Sequence, residues 1–240
     1  MIAGTARIAD LPEGPPLLQI VVDTEEEFDW GKPFDRNSVS VSAMQAQHLA
    51  QELFAPYGLR PTYVIDYPIA TTPGAIDVLA SYHAAGQCDI GAQLHPWVNP
   101  PFDEPVTTFN SYPGNLPPML ERQKLAVLTE AITSAFGTRP SVYKAGRYGV
   151  GPATLGTLRA LGYLVDLSVV PHTDFGADGG PDFRRCPDRP YWCDEVGGLL
   201  EVPLSRGFYG ILSAAGPRLH AAASAAWAKP FHLVGAMAHL

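Results

Sequence analysis

The chain of 240 residues has few cysteines, no dense cluster of basic residues and no long apolar run. Its three cysteines, Cys88, Cys186 and Cys193, form no CxxC pair, and an odd number does not indicate a disulfide framework. A Cys186–Cys193 bridge is sterically possible, but we favour free thiols. No run approaches the roughly 18 apolar residues that cross a bilayer, and the N-terminus lacks signal-peptide features. We therefore expect a cytoplasmic protein without a membrane span.

The charge balance argues against a nucleic-acid-binding protein. With 24 acidic and 16 basic residues the net charge is -8, and no Lys/Arg cluster offers a surface for nucleic acid. Neither a GxGxxG motif nor a P-loop follows the first apolar segment, which argues against nucleotide binding. Hydrophobic residues make up 46% of the chain, enough for a globular core. The sequence does not indicate an oligomeric state.

Strand-like and helix-like segments alternate along the chain. Apolar, β-branched segments predict strands at 17–23, 61–67, 88–95, 141–146, 164–171 and 199–205. Helical spacing occurs between them, at 40–58, 73–86, 119–137 and 152–162. This order predicts parallel strands with right-handed crossovers, in one α/β domain that is an open doubly wound sheet or a (β/α) barrel. Two long loops, 100–118 and 172–198, follow strand ends and form either the walls of a cleft or plain surface.

A dense acidic run follows the first predicted strand. The segment LLQIVVDTEEEFDW (17–30) carries five carboxylates, namely Asp23, Glu25, Glu26, Glu27 and Asp29. In extended geometry Asp23 and Glu25 point to the same side, and a divalent cation would relieve their repulsion. One carboxylate would then bind the cation and the other would act as a base. Glu26 is the fallback ligand. The alternative is a solvated acidic loop or the first turn of a helix.

The segment GAQLHPWVNPP (91–101) offers a second candidate ligand. Gln93 and His95 share one strand face, and Trp97 and Asn99 follow in the loop. Zinc binds imidazole and carboxylate together, and a catalytic zinc has three protein ligands and an open position. Glu25 and His95 are two candidates, and the third is Asn99 or Gln93. We expect Trp97 and Gln93 to contact substrate. The alternative is that His95 is a core residue.

The segment YKAGRYGVG (143–151) places Lys144, Arg147 and Tyr148 at the next strand end. A cation here would hold Asp23 ionised and oriented, and a backbone N–H of this glycine-flanked turn could stabilise an oxyanion. The alternative is a surface turn with two exposed cations.

In this order, the motifs resemble those of the polysaccharide deacetylase family, the NodB-homology domain of carbohydrate esterase family four, and its WalW-like branch. The matching stretches are VVDTEEE, RPTYVIDY, IGAQLHPW, YKAGRYGVGPATLGTLRALGY and VDLSVVP, and the resemblance covers about residues 17–210. It implies a distorted (β/α) barrel in one catalytic domain over residues 1–240. It also implies metal-dependent removal of an N-acyl group from an amino sugar or polysaccharide, with zinc as the expected metal.

The resemblance assigns roles to particular residues. Asp23 matches the general base, Glu25 the motif acid that binds metal, and His95 the histidine before proline. Tyr148 matches the residue whose backbone N–H stabilises the oxyanion. The cation that pairs with the base falls on Lys144, or on Arg147 if the turn shifts.

The sequence also departs from the family pattern. Gln93 stands where relatives could carry a first histidine, and no late strand ends in histidine. His220, His232 and His239 occur instead in an Ala-rich segment, so we expect the barrel to lack closing strands at its C-terminus. Two alternatives stay open. One is a metal-free barrel that hydrolyses another C–N amide bond, and the other is a catalytically silent carbohydrate-binding domain. The partner is then a carbohydrate or a small amide.

Overall fold

The structure is a computed structural model that describes residues 7–11, 13–15, 17–194, 196–206 and 215–223. The strands in these ranges are β1 (Arg7–Ile8), β2 (Val21–Thr24), β3 (Thr62–Ile65), β4 (Asp89–Leu94), β5 (Val142–Ala145), β6 (Val165–Asp166), β7 (Tyr191–Trp192) and β8 (Leu200–Glu201). The α-helices are α1 (Gln47–Phe54), α2 (Tyr67–Thr71), α3 (Pro73–Ala84), α4 (Pro118–Phe136), α5 (Thr154–Ala160) and α6 (Gly216–Ala223).

All eight strands form one sheet in the order β1-β7-β8-β6-β5-β4-β3-β2. The run from β2 through β6 to β8 is parallel, and only β7 pairs antiparallel, with β1 and β8. Within the described ranges β1 and β2 are not paired with each other, so the sheet is not closed. The predicted α/β fold is confirmed, as an open form of the distorted (β/α) barrel.

The six predicted strands all overlap strands of the structure, and four predicted helices correspond to α1, α3, α4 and α5. Helix α4 ends where Gly137 adopts the left-handed conformation (φ 68°) and donates its N–H to Thr133. Sequence patterns missed the two-residue strands β1 and β7, which are too short to show periodicity, and the five-residue helix α2. Helix α2 begins because Asp66 caps it, accepting the N–H of Ile69.

One face of the sheet packs against α2–α5. Side chains of α3, α4 and α5 form a common core with those of β3, β4 and β5, including Leu79, Leu125, Leu158, Tyr63 and Tyr143. Each fully buried aliphatic side chain contributes roughly 1.5–3 kcal/mol relative to its exposed state. The opposite face carries Asp23, Gln93 and Lys144 beside the buried Val64.

The chain divides into two compact units, residues 1–204 and 205–240. The sheet and α1–α5 belong to the first unit, and α6 to the second. His220 lies in α6, whereas His232 and His239 lie outside the described residues. The single catalytic domain over residues 1–240 stays a prediction. No helix in the described part of the chain has the length and apolar character needed to cross a bilayer.

The 100–118 loop is held in place by a buried lysine. Lys124 of α4 is fully buried, and its Nζ donates to the carbonyls of Pro96 (2.9 Å) and Asn99 (2.6 Å). The same ammonium forms an ion pair of 3.0 Å with Glu104, which is also buried. Two 3-10 turns, Phe109–Ser111 and Pro113–Asn115, give the rest of the loop a fixed path. The loop is thus an ordered wall at the carboxyl edge of the sheet.

We expect Lys124→Met to lower the free energy of unfolding by about 3 kcal/mol, because it leaves the Glu104 carboxylate buried and unpaired. Denaturant unfolding followed by circular dichroism measures this. The matched control is Lys32→Met, which removes a lysine of an exposed pair with Asp29 and should change the free energy by less than about 0.5 kcal/mol. Equal small effects in both variants would contradict the anchoring role of Lys124.

Candidate active site

The register of the sheet brings the predicted polar residues to one face. Asp23 pairs with Val64, which in turn pairs with Gly91. Gln93 lies two residues beyond Gly91, on the same face, and pairs with Lys144. These positions lie near the carboxyl ends of adjacent parallel strands, where α/β folds collect their active sites.

Asp23 and Lys144 form the closest charged pair on this face. Lys144 Nζ lies 2.6 Å from both Asp23 carboxylate oxygens, and it also lies 4.9 Å above the ring of Tyr148. The Asp23 side chain is 39% exposed, against 11% for Lys144. A pair this exposed adds little to the stability of the fold, and its main effect is to orient the Asp23 carboxylate. Of the two cations that could pair with the predicted base, Lys144 is the one in contact with it.

His95 lies at the end of β4 between two glutamates. Its Nδ1 is 2.8 Å from Glu26 Oε2, and its Nε2 is 3.3 Å from Glu25 Oε2. The ring is buried and stacks on Trp97 with centroids 4.4 Å apart. Burial alone would lower the pKa of His95, but the charge of Glu26 and hydrogen bonds to both glutamates raise it to about 10. The acidic run thus supplies a carboxylate to each nitrogen of one imidazole.

Gln93 contacts both Glu25 and His95. Its Nε2 donates to Glu25 Oε2 over 2.8 Å and lies 3.4 Å from His95 Nε2. Its Oε1 is buried without a hydrogen-bond partner among the described residues. Gln93, Glu25 and His95, predicted from the sequence as ligand or substrate contacts, therefore meet in one cluster.

A second, deeper cluster lies behind His95. Ligand atoms of Glu26, Asp66 and His95 all lie within 4.8 Å of one another, and all three residues are buried. The N–H of Glu26 donates to Asp66 Oδ2 over 3.0 Å. Burial, reinforced by Glu26, raises the pKa of Asp66 well above its usual range. For Glu26 burial acts in the same direction, but the charge and hydrogen bond of His95 outweigh it and its pKa is lowered. Asp66 thus lies beside the Glu26–His95 pair as a carboxyl group whose ionisation is opposed by burial.

The donor set of these clusters fits a divalent cation. Two carboxylates and an imidazole are typical zinc ligands, and Glu26 Oε1 is a buried oxygen without a hydrogen bond in the described ranges. A catalytic ion needs an open position, and Glu25, with 27% of its side chain exposed, reaches solvent, whereas the Glu26 side chain is fully buried. Histidine ligands commonly donate their other N–H to a carboxylate. Glu25 and His95 Nε2 are therefore the donors nearest solvent, and Glu26 is the buried carboxylate on His95 Nδ1; which of these residues bind a metal stays a prediction.

Two further predicted residues lie in the loop after β4. Asn99 is fully buried, and its Nδ2 donates to the carbonyls of Pro100 (2.7 Å) and Lys124 (3.0 Å). Trp97 is buried beneath His95 and contacts Phe34 at 4.6 Å. The role of Asn99 as third ligand and that of Trp97 as substrate contact stay predictions.

The turn after β5 has an unusual backbone. Arg147 (φ 53°) and Tyr148 (φ 59°) both adopt the left-handed conformation, which costs of order 1 kcal/mol or more for each residue. Arg147 turns away from Asp23, since Nη1 donates to Ser111 Oγ over 2.7 Å and Nη2 lies 3.4 Å from Asp178. The turn therefore separates the two cations, with Lys144 at Asp23 and Arg147 at the loops.

Sequence reasoning assigned no role to Asp66 and made Glu26 only a fallback. The signal for Asp66 was its place at the end of the strand next to β2, followed by the Pro68 typical of a helix start. Glu26 was expected to replace Glu25 as ligand only if the turn began one residue early. The imidazole of His95 contacts both Glu25 and Glu26, because the chain leaves β2 after Thr24 and is no longer in strand geometry.

No protein-family model matches this chain, and no curated protein matches it. Among solved structures, a protein from Mycobacterium smegmatis assigned as a polysaccharide deacetylase shares 18% identity at a TM-score of 0.46, over 84% of this chain and 63% of its own. IcaB from Ammonifex degensii shares 14% identity at a TM-score of 0.48, over 90% of this chain and 76% of its own. The allantoinase Puue shares 18% identity at a TM-score of 0.48, over 79% of this chain and 62% of its own.

This chain thus spans less than two thirds of the first and third of these proteins. Polysaccharide deacetylases are among its structural neighbours, whereas the WalW-like branch stays a prediction. At these identities and scores we assign neither a family nor an activity to the chain from the matches.

Gly146 offers a test of how tightly the turn packs on His95. A Cβ at this position would lie 2.4 Å from Leu94 O and 2.5 Å from His95 Cδ2. We expect Gly146→Ala to lower the free energy of unfolding by about 2 kcal/mol, the usual scale of overpacking. Denaturant unfolding checks this.

The control is Gly156→Ala in α5, where a Cβ meets no atom within 4 Å. That change should stabilise the protein by roughly 0.5–1 kcal/mol, since alanine is the better helix former. A Gly146→Ala variant as stable as the wild type would show that the turn does not press against His95.

Proposed function

We propose that the protein is a metal-dependent hydrolase that removes an N-acyl group, such as acetyl, from an amino sugar or polysaccharide. The observation that carries the proposal is the convergence of the Asp23–Lys144 pair with Glu25 and His95 at one carboxyl edge of the sheet. The choice of an acylated amino sugar rests on the motif resemblance read from the sequence. A cytoplasmic location remains part of the same expectation.

Glu25 and His95 would hold the cation, for which we propose zinc. The third ligand would be Gln93 or Asn99. Gln93 is the better supported of the two amides, because its side chain contacts both Glu25 and His95. When bound, such an ion lowers the pKa of a water molecule and polarises the acyl carbonyl.

The chain's own residues supply proton transfer and orientation. Asp23 takes a proton from the attacking water, and Lys144, 2.6 Å from both carboxylate oxygens, orients the Asp23 carboxylate. The backbone N–H of Tyr148 donates to the tetrahedral oxyanion, and the strained turn fixes its direction. Glu26 holds the ring of His95, so that Nε2 faces Glu25.

One observation favours a second candidate. Gln93, and not a histidine, stands beside Glu25, and its amide donates to the carboxylate that would bind metal. The same barrel without metal could therefore hydrolyse another C–N amide bond, or bind carbohydrate without turnover. Metal content separates these candidates from the first.

We expect the purified protein to contain about one equivalent of zinc or a similar divalent ion per chain, because the Glu25–His95 donor set matches that of zinc enzymes. Elemental analysis measures it, and Glu25→Gln should lose most of the ion. Asp77→Asn, an exposed acid on α3, serves as control and should keep it. An absence of metal, together with no gain of activity on adding zinc or cobalt, would rule out the metal-dependent reading.

We expect Asp23→Asn to lower deacetylation of an N-acetylated amino-sugar oligomer by roughly 10²–10⁴-fold, the usual contribution of a general base. The variant should keep its metal, because Asp23 is assigned to the base and not to the ligands. Steady-state release of acetate and elemental analysis together test this. Unchanged turnover would exclude Asp23 as the base, and loss of metal would make it a ligand instead.

A further inference from the structure

We infer that the cleft lined by Trp30, Phe34 and Arg147 binds a pyranose ring of a saccharide substrate, in addition to the sugar that carries the reacting amide. The cleft has a volume of about 360 Å³, which lies in the range of ligand-binding sites, roughly 300–1,000 Å³. Its walls come from the loop after β2, the 100–118 loop and Arg147, with Asp178 from the 172–198 loop. This inference rests on the proposed function, because it specifies the substrate of the same site.

Aromatic side chains of the loop after β2 form the floor of the cleft. Phe28 and Phe34 stack in parallel with centroids 4.9 Å apart, and Trp30 meets Phe28 edge-on at 5.1 Å. These contacts hold the rings in fixed positions before any ligand arrives. Trp30 is 60% exposed, so a large apolar surface with a fixed orientation is left open to solvent. A sugar ring has apolar C–H faces that fit such a surface.

The aromatic floor is continuous with the active site. Phe34 contacts Trp97 at 4.6 Å, and Trp97 stacks on His95 at 4.4 Å. A ligand on Trp30 therefore rests on rings that pack, through the buried Trp97, against His95.

Polar groups that line the same cleft suit the hydroxyls of a sugar. Arg147 is fixed between the ring of Tyr112, 4.1 Å away, and the hydroxyl of Ser111. Thr107 and Thr108 line the same cleft and offer backbone and hydroxyl groups. A rigid guanidinium and hydroxyls beside aromatic rings give the mixture of apolar and polar contacts that a pyranose ring presents.

The charges around the cleft favour an uncharged saccharide. Lys32 and Arg147 line the cleft, but Asp29 lies 3.3 Å from the ammonium of Lys32, and Asp178 lies 3.4 Å from the guanidinium of Arg147. The acidic run of the site lies close by, in a chain of net charge -8. A polyanionic glycan would be repelled by these carboxylates, whereas a neutral N-acylated one would not.

Binding to the intact protein tests the inference without requiring catalysis. The probes are a β-linked tetramer of an N-acetylated amino sugar and the corresponding monomer, titrated by calorimetry. We expect the tetramer to bind the wild type about tenfold more tightly than the monomer, the scale of one aromatic contact. Trp30→Ala should lose that advantage, and Trp30→Phe should keep part of it. Tyr57→Ala, which removes an exposed aromatic outside the cleft lining, should change nothing.

Equal tetramer affinity in the wild type and in Trp30→Ala would overturn the inference, as would equal affinity of the wild type for tetramer and monomer. The proposed function fails separately. A protein that binds the tetramer through Trp30 but releases no acetate would retain the subsite and lose the hydrolase assignment.

Discussion

The imidazole of His95, held between Glu25 and Glu26, is the contact on which the site depends. A buried histidine is costly to ionise, yet the two carboxylates raise its pKa to about 10 and fix its orientation. The neighbouring acids divide their tasks by burial. Glu26 and Asp66 are buried, and Glu26 contacts the ring on Nδ1, while Glu25 contacts Nε2 and reaches solvent. The carboxylates of the acidic run would repel one another in an isolated peptide. In the fold they lie in different environments and contact different partners.

Several distant parts of the chain keep this histidine in place. Gly146 lets the turn after β5 approach the ring closely, and Trp97 stacks against its other side. Lys124 of α4 ties the backbone on both sides of Trp97 to a buried ion pair with Glu104. The site is thus built on strand ends, and its loop residues are anchored from the helical layer. Such support keeps catalytic groups in register without help from a ligand.

The sequence predicted six of the eight described strands and the helices α1, α3, α4 and α5, because hydrophobic periodicity is a local property. It placed Asp23, Lys144, Glu25, Gln93 and His95 at strand ends, and the structure brings them together in two adjoining contacts. It did not reveal that Glu26 and Asp66 meet behind His95. Their contact joins residues 40 positions apart through the backbone of Glu26, and no periodicity records it. The aromatic cleft was missed for a similar reason. In FDWGKPF the rings are separated by turns, and only the fold stacks Phe28 on Phe34.

The most direct measurement is a crystal structure of the protein grown with zinc, with the ion located by its anomalous scattering. The arrangement described here predicts an ion bound by Glu25 and by His95 Nε2, with Glu26 remaining on His95 Nδ1. An ion seated instead among Glu26, Asp66 and His95 Nδ1, or no ion at His95, would contradict it.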